Sequence, residues 1–281
     1  MDKEAGAASR RSSLRHSCVR SPNRQGWSAA FRGHKTDRTG QFATGAMGEI
    51  LVLSATAFEQ GFLRESIAES VRSEVAGFEW VGGELSGKRV LLVSTGIGAV
   101  NTAHALTCAL RERCVEWVLQ VGIGGAYPES GLDIGDWALA SEENYGDLGV
   151  RTGAGWQGAE TIGIPVLEKD RVYYNRFPLD AEWVQEAATI LPEARVGPFV
   201  TVQECSGSDE LGVERGRRFE ALCENMEGAA AAHLCACYGI PLVEVRAMSN
   251  IVEKRDRKKW NLPLAVERAQ SAALKLLEHR L

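Results

Sequence analysis

The 281-residue chain is predicted to be an α/β protein with helices on both faces of a sheet. Three observations carry that prediction. From Glu49 onward, an apolar strand, a Gly or Ser turn and an amphipathic helix follow one another repeatedly. Two of the buried strands run into glycine-rich segments, Thr95–Gly98 and Gly122–Gly125. No repeat and no linker interrupts Glu49 to Leu281, so one domain spanning 47–281 is the simplest account.

The elements follow in order. Ile50–Ala55 is apolar throughout and reads as a buried strand. A helix is expected from Ala57 to Ser73. Phe78–Leu85 and Arg89–Thr95 read as a hairpin around Ser86-Gly87-Lys88. Ala99–Arg113 is a helix, Glu116–Val121 a strand, and Asp136–Ser141 another strand. Ala181–Leu191 is helical and Val196–Gln203 extended. Asp209–Leu222 and Met226–Tyr238 are helices, Leu242–Met248 is a buried strand, and Leu262–Arg280 is the closing helix.

Composition narrows the function. The chain is 44% apolar and 25% charged, as globular proteins are. Residues 1–46 hold nine Lys/Arg against three Asp/Glu, so the remainder carries −11 of the net −5. A body that acidic offers no electrostatic footprint for nucleic acid or an anionic membrane. A small molecule is the expected partner. The longest uncharged run, Gly228–Val243, holds His233, Tyr238 and a Gly-Ile-Pro break, so it is no membrane span.

The seven cysteines, Cys18, Cys108, Cys114, Cys205, Cys223, Cys235 and Cys237, follow no zinc spacing. They read as reduced, small core residues of a cytoplasmic protein. No metal site is expected. Residues 1–46 are rich in Arg, Ser and Gly without apolar periodicity, and read as a disordered extension. They lack the apolar core of a secretory signal. An organellar transit segment has the same composition, but Met47-Gly48 directly before the first strand favours an upstream extension.

Several motifs admit chemistry. Thr95-Gly96-Ile97-Gly98-Ala99-Val100-Asn101 opens a helix after a strand, and exposes backbone N–H groups there. A dinucleotide fingerprint would have a third glycine where Asn101 stands, so a nicotinamide cofactor is disfavoured. Tight strand–helix packing explains these glycines equally well. Val121-Gly122-Ile123-Gly124-Gly125 reads as a second glycine turn beside the same crevice. Glu59, four residues beyond Ala55, is either a general base at a strand's end or a helix-start carboxylate.

Asn225-Met226-Glu227-Gly228 begins a very apolar helix. A carboxylate in that setting needs a partner, and a ribose diol is one. A solvated helix-start Glu is the alternative. Glu244–Asn250 ends a buried strand in Ser249-Asn250, at the edge where such sheets build sites. The following Lys254–Lys259 run reads mostly as a solvated basic loop.

Together these segments resemble the nucleoside phosphorylase/nucleosidase superfamily, in its methylthioadenosine/adenosylhomocysteine nucleosidase branch, over Glu49–Leu281. The resemblance rests on Ala55 with Glu59, Thr95–Gly98, Gly122–Gly125, Gly135-Asp136-Trp137-Ala138-Leu139-Ala140, Met226-Glu227 and Arg246-Ala247-Met248-Ser249. Asn250 stands where the adenine-specific members have Asp. The futalosine hydrolases are similar in Gly197–Val202, Asn225–Gly228, and Arg246–Asn250 with Arg255-Asp256 and Trp260.

The resemblance implies a nucleoside phosphorylase-like fold: a single-domain, three-layer α/β/α arrangement around a central mixed, twisted sheet. It also implies hydrolysis of a purine N-ribosidic bond without metal or organic cofactor, by a cytoplasmic homo-oligomer. Glu59 would activate water, Glu227 hold the ribose hydroxyls, and Met226 pack on the sugar. Ala55, Thr95, Gly96 and Ser249 would line the site, and Cys205 lies in the Gln203–Gly207 loop expected beside the base. Arg246 would orient a carboxylate, with Glu59 expected as its partner. Arg255 would meet a substrate carboxylate, or be solvated.

The amide of Asn250 offers a donor for a 6-oxo group and an acceptor for N7–H. That suits hypoxanthine and mismatches adenine, and inosine fits as well as futalosine. Rival readings are a methylthioadenosine/adenosylhomocysteine nucleosidase, a phosphate-dependent purine nucleoside phosphorylase, and a non-catalytic nucleoside sensor on the same fold.

Overall fold

The computed structural model describes residues 48–279. The extension expected over 1–46, and Cys18 within it, lie outside the described residues. The first strand, β1 (Glu49–Ser54), is buried along its whole length. Its six residues offer no polar face, which places it inside the sheet. Four strands follow: β2 (Ala68–Val75), β3 (Phe78–Leu85), β4 (Lys88–Ser94) and, after helix α2 (Ala99–Glu112), β5 (Val115–Ala126). A 3₁₀ turn (Ala57–Gln60) and the short helix α1 (Gly61–Glu65) lie between β1 and β2.

The second half contributes β6 (Trp137–Tyr145), the hairpin β7 (Gly149–Thr152) and β8 (Gly155–Gly158), the pair β9 (Leu167–Glu168) and β10 (Val172–Tyr173), and β11 (Arg176–Pro178). Then come α3 (Ala181–Ile190), β12 (Arg195–Thr201), α4 (Asp209–Phe219), β13 (Cys223–Asn225), α5 (Gly228–Tyr238), β14 (Leu242–Ile251) and α6 (Leu262–Glu278). Ten strands form one sheet in the order β11-β6-β12-β13-β5-β1-β4-β3-β2, with β14 paired to β5 and β6. β1 is parallel to β4 and β5, and β14 to β5, whereas β3 runs antiparallel to β2 and β4. The sheet is therefore mixed, as the resemblance implies.

Alternation along the strands splits the core in two. Ile50, Val52, Leu92, Leu119, Val121, Val243 and Val245 face one layer, closed by Ala269, Ala272, Ala273 and Leu276 of α6. Leu51, Leu53, Leu91, Val93 and Val118 face the other, closed by Ala105, Leu106 and Ala109 of α2 and Ala231, Ala232 and Cys235 of α5. The alanines bring the helices close to the sheet. Leu53 is fully buried, and truncating such a leucine to Ala costs about 2–5 kcal/mol.

Three expectations need correction. The helix expected over Ala57–Ser73 stops at Glu65, and Ala68–Val75 is the edge strand β2. Almost every β2 side chain is exposed, so no alternation marked it as a strand; pairing with β3 overrides local propensity. Gly122–Gly125 is no turn: it continues β5, paired with β14 and β13. The helix expected from Met226 begins at Gly228, and Glu227 is its N-cap. The Ser86-Gly87 hairpin is as expected, with positive φ at both residues (52° and 76°), the primed-turn geometry that suits strand twist.

Of the cysteines, Cys223 and Cys235 are buried as expected, but Cys205 and Cys237 are exposed. All six described cysteines are free. Among the described residues no helix is long and apolar enough to cross a membrane, and no cluster of His, Cys, Asp and Glu could hold a metal.

Candidate active site

The carboxyl ends of β1, β5 and β14, the β12–α4 loop and the start of α5 surround a cleft of about 360 Å³. That is within the range of small-ligand sites, roughly 300–1,000 Å³. Glu59 and Asn250 both border it, together with Ala55, Cys205, Met226, Glu227, Arg246, Ser249 and Arg255. Residues far apart in sequence thus share one cavity.

Glu59 is reached through the 3₁₀ turn that follows β1. Its Oε2 accepts from the backbone N–H and the hydroxyl of Thr56, both at 2.9 Å, forming a capping box. Its Oε1 accepts from Ile123 N–H at 3.1 Å. Oε1 therefore keeps a free lone pair facing the cleft. A Cβ on Gly122 would come within 2.8 Å of Glu59 Oε1 and 3.3 Å of Arg246 Nη1, so β5 needs glycine here to admit both side chains. Glu59 is 4% exposed. Burial raises its pKa, opposed by the hydrogen bonds from Ile123 and Thr56 and by the charge of Arg246.

Glu227 sits at the N-cap of α5. Its Oε1 accepts from Gly98 N–H at 3.0 Å and its Oε2 from Arg246 Nη1 at 3.3 Å. Each oxygen retains accepting capacity. The helix start is held by Asn225, whose Oδ1 accepts from Glu227 N–H (2.9 Å) and Gly228 N–H (2.8 Å). Ala229 N–H donates to Thr201 Oγ1 at 2.7 Å. These bonds satisfy the first amides of α5 and fix the Glu227 backbone.

Arg246 corrects one expectation. Its partners are Glu244, through Nε at 2.7 Å, Glu227, and the carbonyl of Ile123 at 2.8 Å; it makes no hydrogen bond to Glu59. Burial opposes its charge, but Glu244 and Glu227 outweigh that and hold its pKa above the ordinary value. Thr95 and Gly96 are a second correction: neither borders the cleft. Thr95 Oγ1 turns inward to Gly96 O at 2.8 Å and Ser54 O at 3.2 Å. The β4–α2 turn meets the site through Ile97 and through Gly98 N–H instead.

At the other end of the cleft, Asn250 Oδ1 accepts from Ser249 Oγ at 2.8 Å and its Nδ2 donates to Ile251 O at 3.0 Å. One N–H and one lone pair remain unspent. Glu224 borders the same cleft, unanticipated from the sequence. It accepts from Ser206 N–H (2.8 Å), Ser206 Oγ (2.5 Å) and Tyr127 OH (3.1 Å), with Arg215 at 3.6 Å. Ser206 belongs to the loop expected beside the base, and Cys205 Sγ lies 3.5 Å from Met226 Sδ.

The mouth is apolar, with Phe58 and Ile97 both exposed and Trp260 and Leu262 alongside. Arg255 stands over the Trp260 ring, 4.7 Å from its centroid. No sequence signal distinguished Phe58 or Glu224. Trp260 was visible only through the resemblance.

A profile of the phosphorylase superfamily matches residues 49–278. The futalosine hydrolase of Thermus thermophilus is 36% identical over 228 residues, covering 81% of this chain and 94% of that one. A 5'-methylthioadenosine/S-adenosylhomocysteine nucleosidase of Lysinibacillus sphaericus is 30% identical over 237 residues, covering 82% and 98%. Among solved structures, the corresponding nucleosidase of Neisseria meningitidis in complex with methylthio-immucillin-A superposes with a TM-score of 0.73 at 24% identity, covering 83% and 99%. The native futalosine hydrolase of Helicobacter pylori does so at 0.71 and 17%, covering 82% and 97%. The named relatives are nucleosidases, and this chain belongs to the phosphorylase superfamily as an N-glycosyl hydrolase of its nucleosidase kind.

Proposed function

We propose that the chain hydrolyses the N-ribosidic bond of a 6-oxopurine nucleoside, with futalosine as the substrate and hypoxanthine as the released base. The observation that carries this reading is the pair Glu224 and Asn250 at one end of the cleft. A 6-oxopurine presents a donor at N1–H and an acceptor at O6. The carboxylate of Glu224 suits the first, and the unspent N–H of Asn250 suits the second. Adenine offers the reverse pattern, an acceptor at N1 and a donor at N6. It would leave buried groups unpaired, and such mismatches discriminate strongly.

The reaction then needs three things from the residues. Glu59 takes a proton from water at Oε1, the oxygen with accepting room. Glu227 receives the two ribose hydroxyls on its two half-occupied oxygens, and Met226 packs on the sugar. As the bond breaks, charge moves onto the purine, N7 takes a proton from solvent, and the carbonyl of Asn250 accepts a hydrogen bond from the resulting N7–H. Ala55 and Ser249 complete the walls. The long apolar mouth and Arg255 suit an extended 5' substituent ending in a carboxylate.

The phosphorolytic reading is weaker. Phosphate would have to sit against Glu59, and the arginine nearest that carboxylate, Arg246, is already spent on Glu244 and Glu227. We place the reaction in the cytoplasm, in the unit 47–281, and in a homo-oligomer. Phe58 and Phe62, 59% and 51% exposed beside Pro263, Val266 and Leu274, support the last point.

The test is incubation with futalosine in phosphate-free buffer, following free hypoxanthine. Release without phosphate, at a kcat/KM above that for methylthioadenosine, is the expected result. Preference for methylthioadenosine would reassign the chain to the adenine-specific nucleosidases, and strict dependence on phosphate would make it a phosphorylase.

A further inference from the structure

Beneath the sugar end of the cleft lies a buried polar floor that the proposed reaction does not use. Glu143 on β6 and Glu244 on β14 are 0% and 1% exposed. Their carboxylates meet under the start of α5: a side chain at Gly228 would overlap Glu143 Oε1 and both oxygens of Glu244. Glu143 accepts from Asn225 Nδ2 at 2.6 Å, from Thr201 Oγ1 at 2.8 Å and from Asn144 N–H at 3.2 Å. Glu244 Oε1 accepts from Arg246 Nε at 2.7 Å. Glu244 Oε2 is fully buried and receives no donor from any side chain or amide.

We propose that Glu143 and Glu244 hold one proton between them, and that Glu244 is a positioning residue that keeps Arg246 turned toward Glu227 and away from Glu59.

The first half follows from the geometry. The two carboxylates lie close together in a fully buried site, and among the described residues the cation beside them, Arg246, bonds only one of the pair. Like charges this close and shielded from bulk solvent cannot readily both ionise. A carboxylic acid hydrogen-bonded to a carboxylate removes the repulsion and gives Glu244 Oε2 its missing partner. The proton belongs to the pair rather than to either residue. Burial, reinforced at Glu143 by the charge of Glu244, raises both groups above the ordinary carboxylate range.

The second half follows from the guanidinium, which is planar and rigid. A bond to Nε on one edge sets where Nη1 points on the other. With Glu244 on Nε, Nη1 meets Glu227 at 3.3 Å and Ile123 O at 2.8 Å. The alternative partner is close, because Glu59 Oε1 and Arg246 Nη1 lie on either side of the missing Gly122 Cβ. An Arg246 released from Glu244 would pair with Glu59, lower its pKa and weaken it as a base. The charged and titratable groups facing this cluster are Glu59 from the 3₁₀ turn, Cys223 from β13, Glu227 from α5, Glu143 and Tyr145 from β6, and Glu244 and Arg246 from β14. Gln120 on β5, in register with Glu244, adds an uncharged amide.

Two measurements test this. The first is the infrared spectrum of the full chain at about pH 8, where an ordinary glutamate is ionised. One protonated-carboxyl band is expected in the parent and none in Glu143→Gln or Glu244→Gln, with thermal melts confirming that each variant is folded. A parent spectrum without the band, or a band that survives in both variants, overturns the shared proton. The second is the pH profile of kcat/KM for Glu244→Met, which lacks the acceptor for Arg246 Nε. Its acid limb is expected to move down by about one pH unit, with kcat reduced about tenfold. Glu244→Gln, which keeps an oxygen for Nε, should restore most of kcat. A stability loss with an unmoved acid limb would make Glu244 merely structural and overturn its positioning role. The proposal builds on Glu59 being the base, but the infrared test needs no substrate. Failure to release hypoxanthine would therefore sink the functional reading while the spectra still decide the shared proton.

Discussion

Glu224 and Asn250 pair with the same residue, Gly125, from opposite sides of β5. The antiparallel neighbour β13 brings the carboxylate and the parallel neighbour β14 brings the amide. Gly125 itself puts no side chain between them; a Cβ there would lie 2.7 Å from Val252 Cγ2 and 3.2 Å from Asn250 Nδ2. In the proposed reading, base recognition therefore rests on this strand triplet.

That arrangement predicts how specificity fails. Glu224→Gln keeps the shape but replaces an acceptor oxygen by a donor. Its kcat/KM for the hypoxanthine-bearing nucleoside should fall about 100-fold, with little change for an adenine-bearing one. Asn250→Asp should raise the ratio of adenine-bearing to hypoxanthine-bearing turnover at least about tenfold. Steady-state rates on the two nucleosides decide both, and equal losses on both would remove the recognition role.

Glu59→Gln tests the base. The amide keeps one accepting oxygen, for the Thr56 donors or for Ile123 N–H but not both, and cannot take a proton from water. Turnover should drop by about 1,000-fold or more, while binding of a non-hydrolysable nucleoside analogue survives. Calorimetric titration of the variant measures the second half, and unchanged turnover would displace Glu59 from the mechanism.

The pH dependence carries a definite sign. As the proposed base Glu59 would act ionised, and its pKa is raised, chiefly by burial. So kcat/KM should fall as the pH drops through a value above the ordinary carboxylate range, earlier than an exposed glutamate would dictate. A profile flat down to the ordinary range would place the catalytic ionisation elsewhere.

Gly122→Ala separates site geometry from stability. The new methyl would sit 2.8 Å from Glu59 Oε1 and 3.3 Å from Arg246 Nη1, both ends of side chains that can shift. Relief displaces both side chains from the positions their hydrogen bonds hold, and so moves the proposed base. Activity should fall about 100-fold, because small misplacements of reacting groups are severe, while the melting temperature changes by only a few degrees.

Much of this was legible from residue order alone. Ala55, Glu59, Met226, Glu227, Ser249 and Asn250 stand just past or at the carboxyl end of a strand or at a helix start, where an α/β sheet builds its site, Arg246 lies midway along β14, and all border the cleft. Thr95 was misplaced because a side chain's direction at a strand end is set by packing, and its hydroxyl turns to Ser54. The partner of Arg246 was misjudged because Glu244 looked like one more residue of a buried strand. Nothing local shows that a buried glutamate faces another from β6, about a hundred residues earlier in the chain. Glu224 was hidden for the same reason: its donors, Tyr127 and Ser206, come from two other segments. Edge strand β2 escaped because exposed strands carry no apolar alternation.

The paired carboxyls also fix how stability responds to pH. Burial raises Glu143 and Glu244 in the folded chain, so the folded state keeps a proton that the unfolded chain releases. Below the ordinary carboxylate value both states are protonated, and the contribution of the neutral group is fully present. As the pH climbs above that value the unfolded chain ionises first, so stability declines by about 1.4 kcal/mol per pH unit for each proton held, until the folded pair itself titrates. Glu143→Gln removes the reason for Glu244 to hold a proton, because Arg246 can then pair with a full carboxylate. The stability difference, parent minus variant, should therefore shrink steadily between about pH 5 and 7 when both are unfolded in urea. Parallel curves over that interval would mean that no proton is retained at this site.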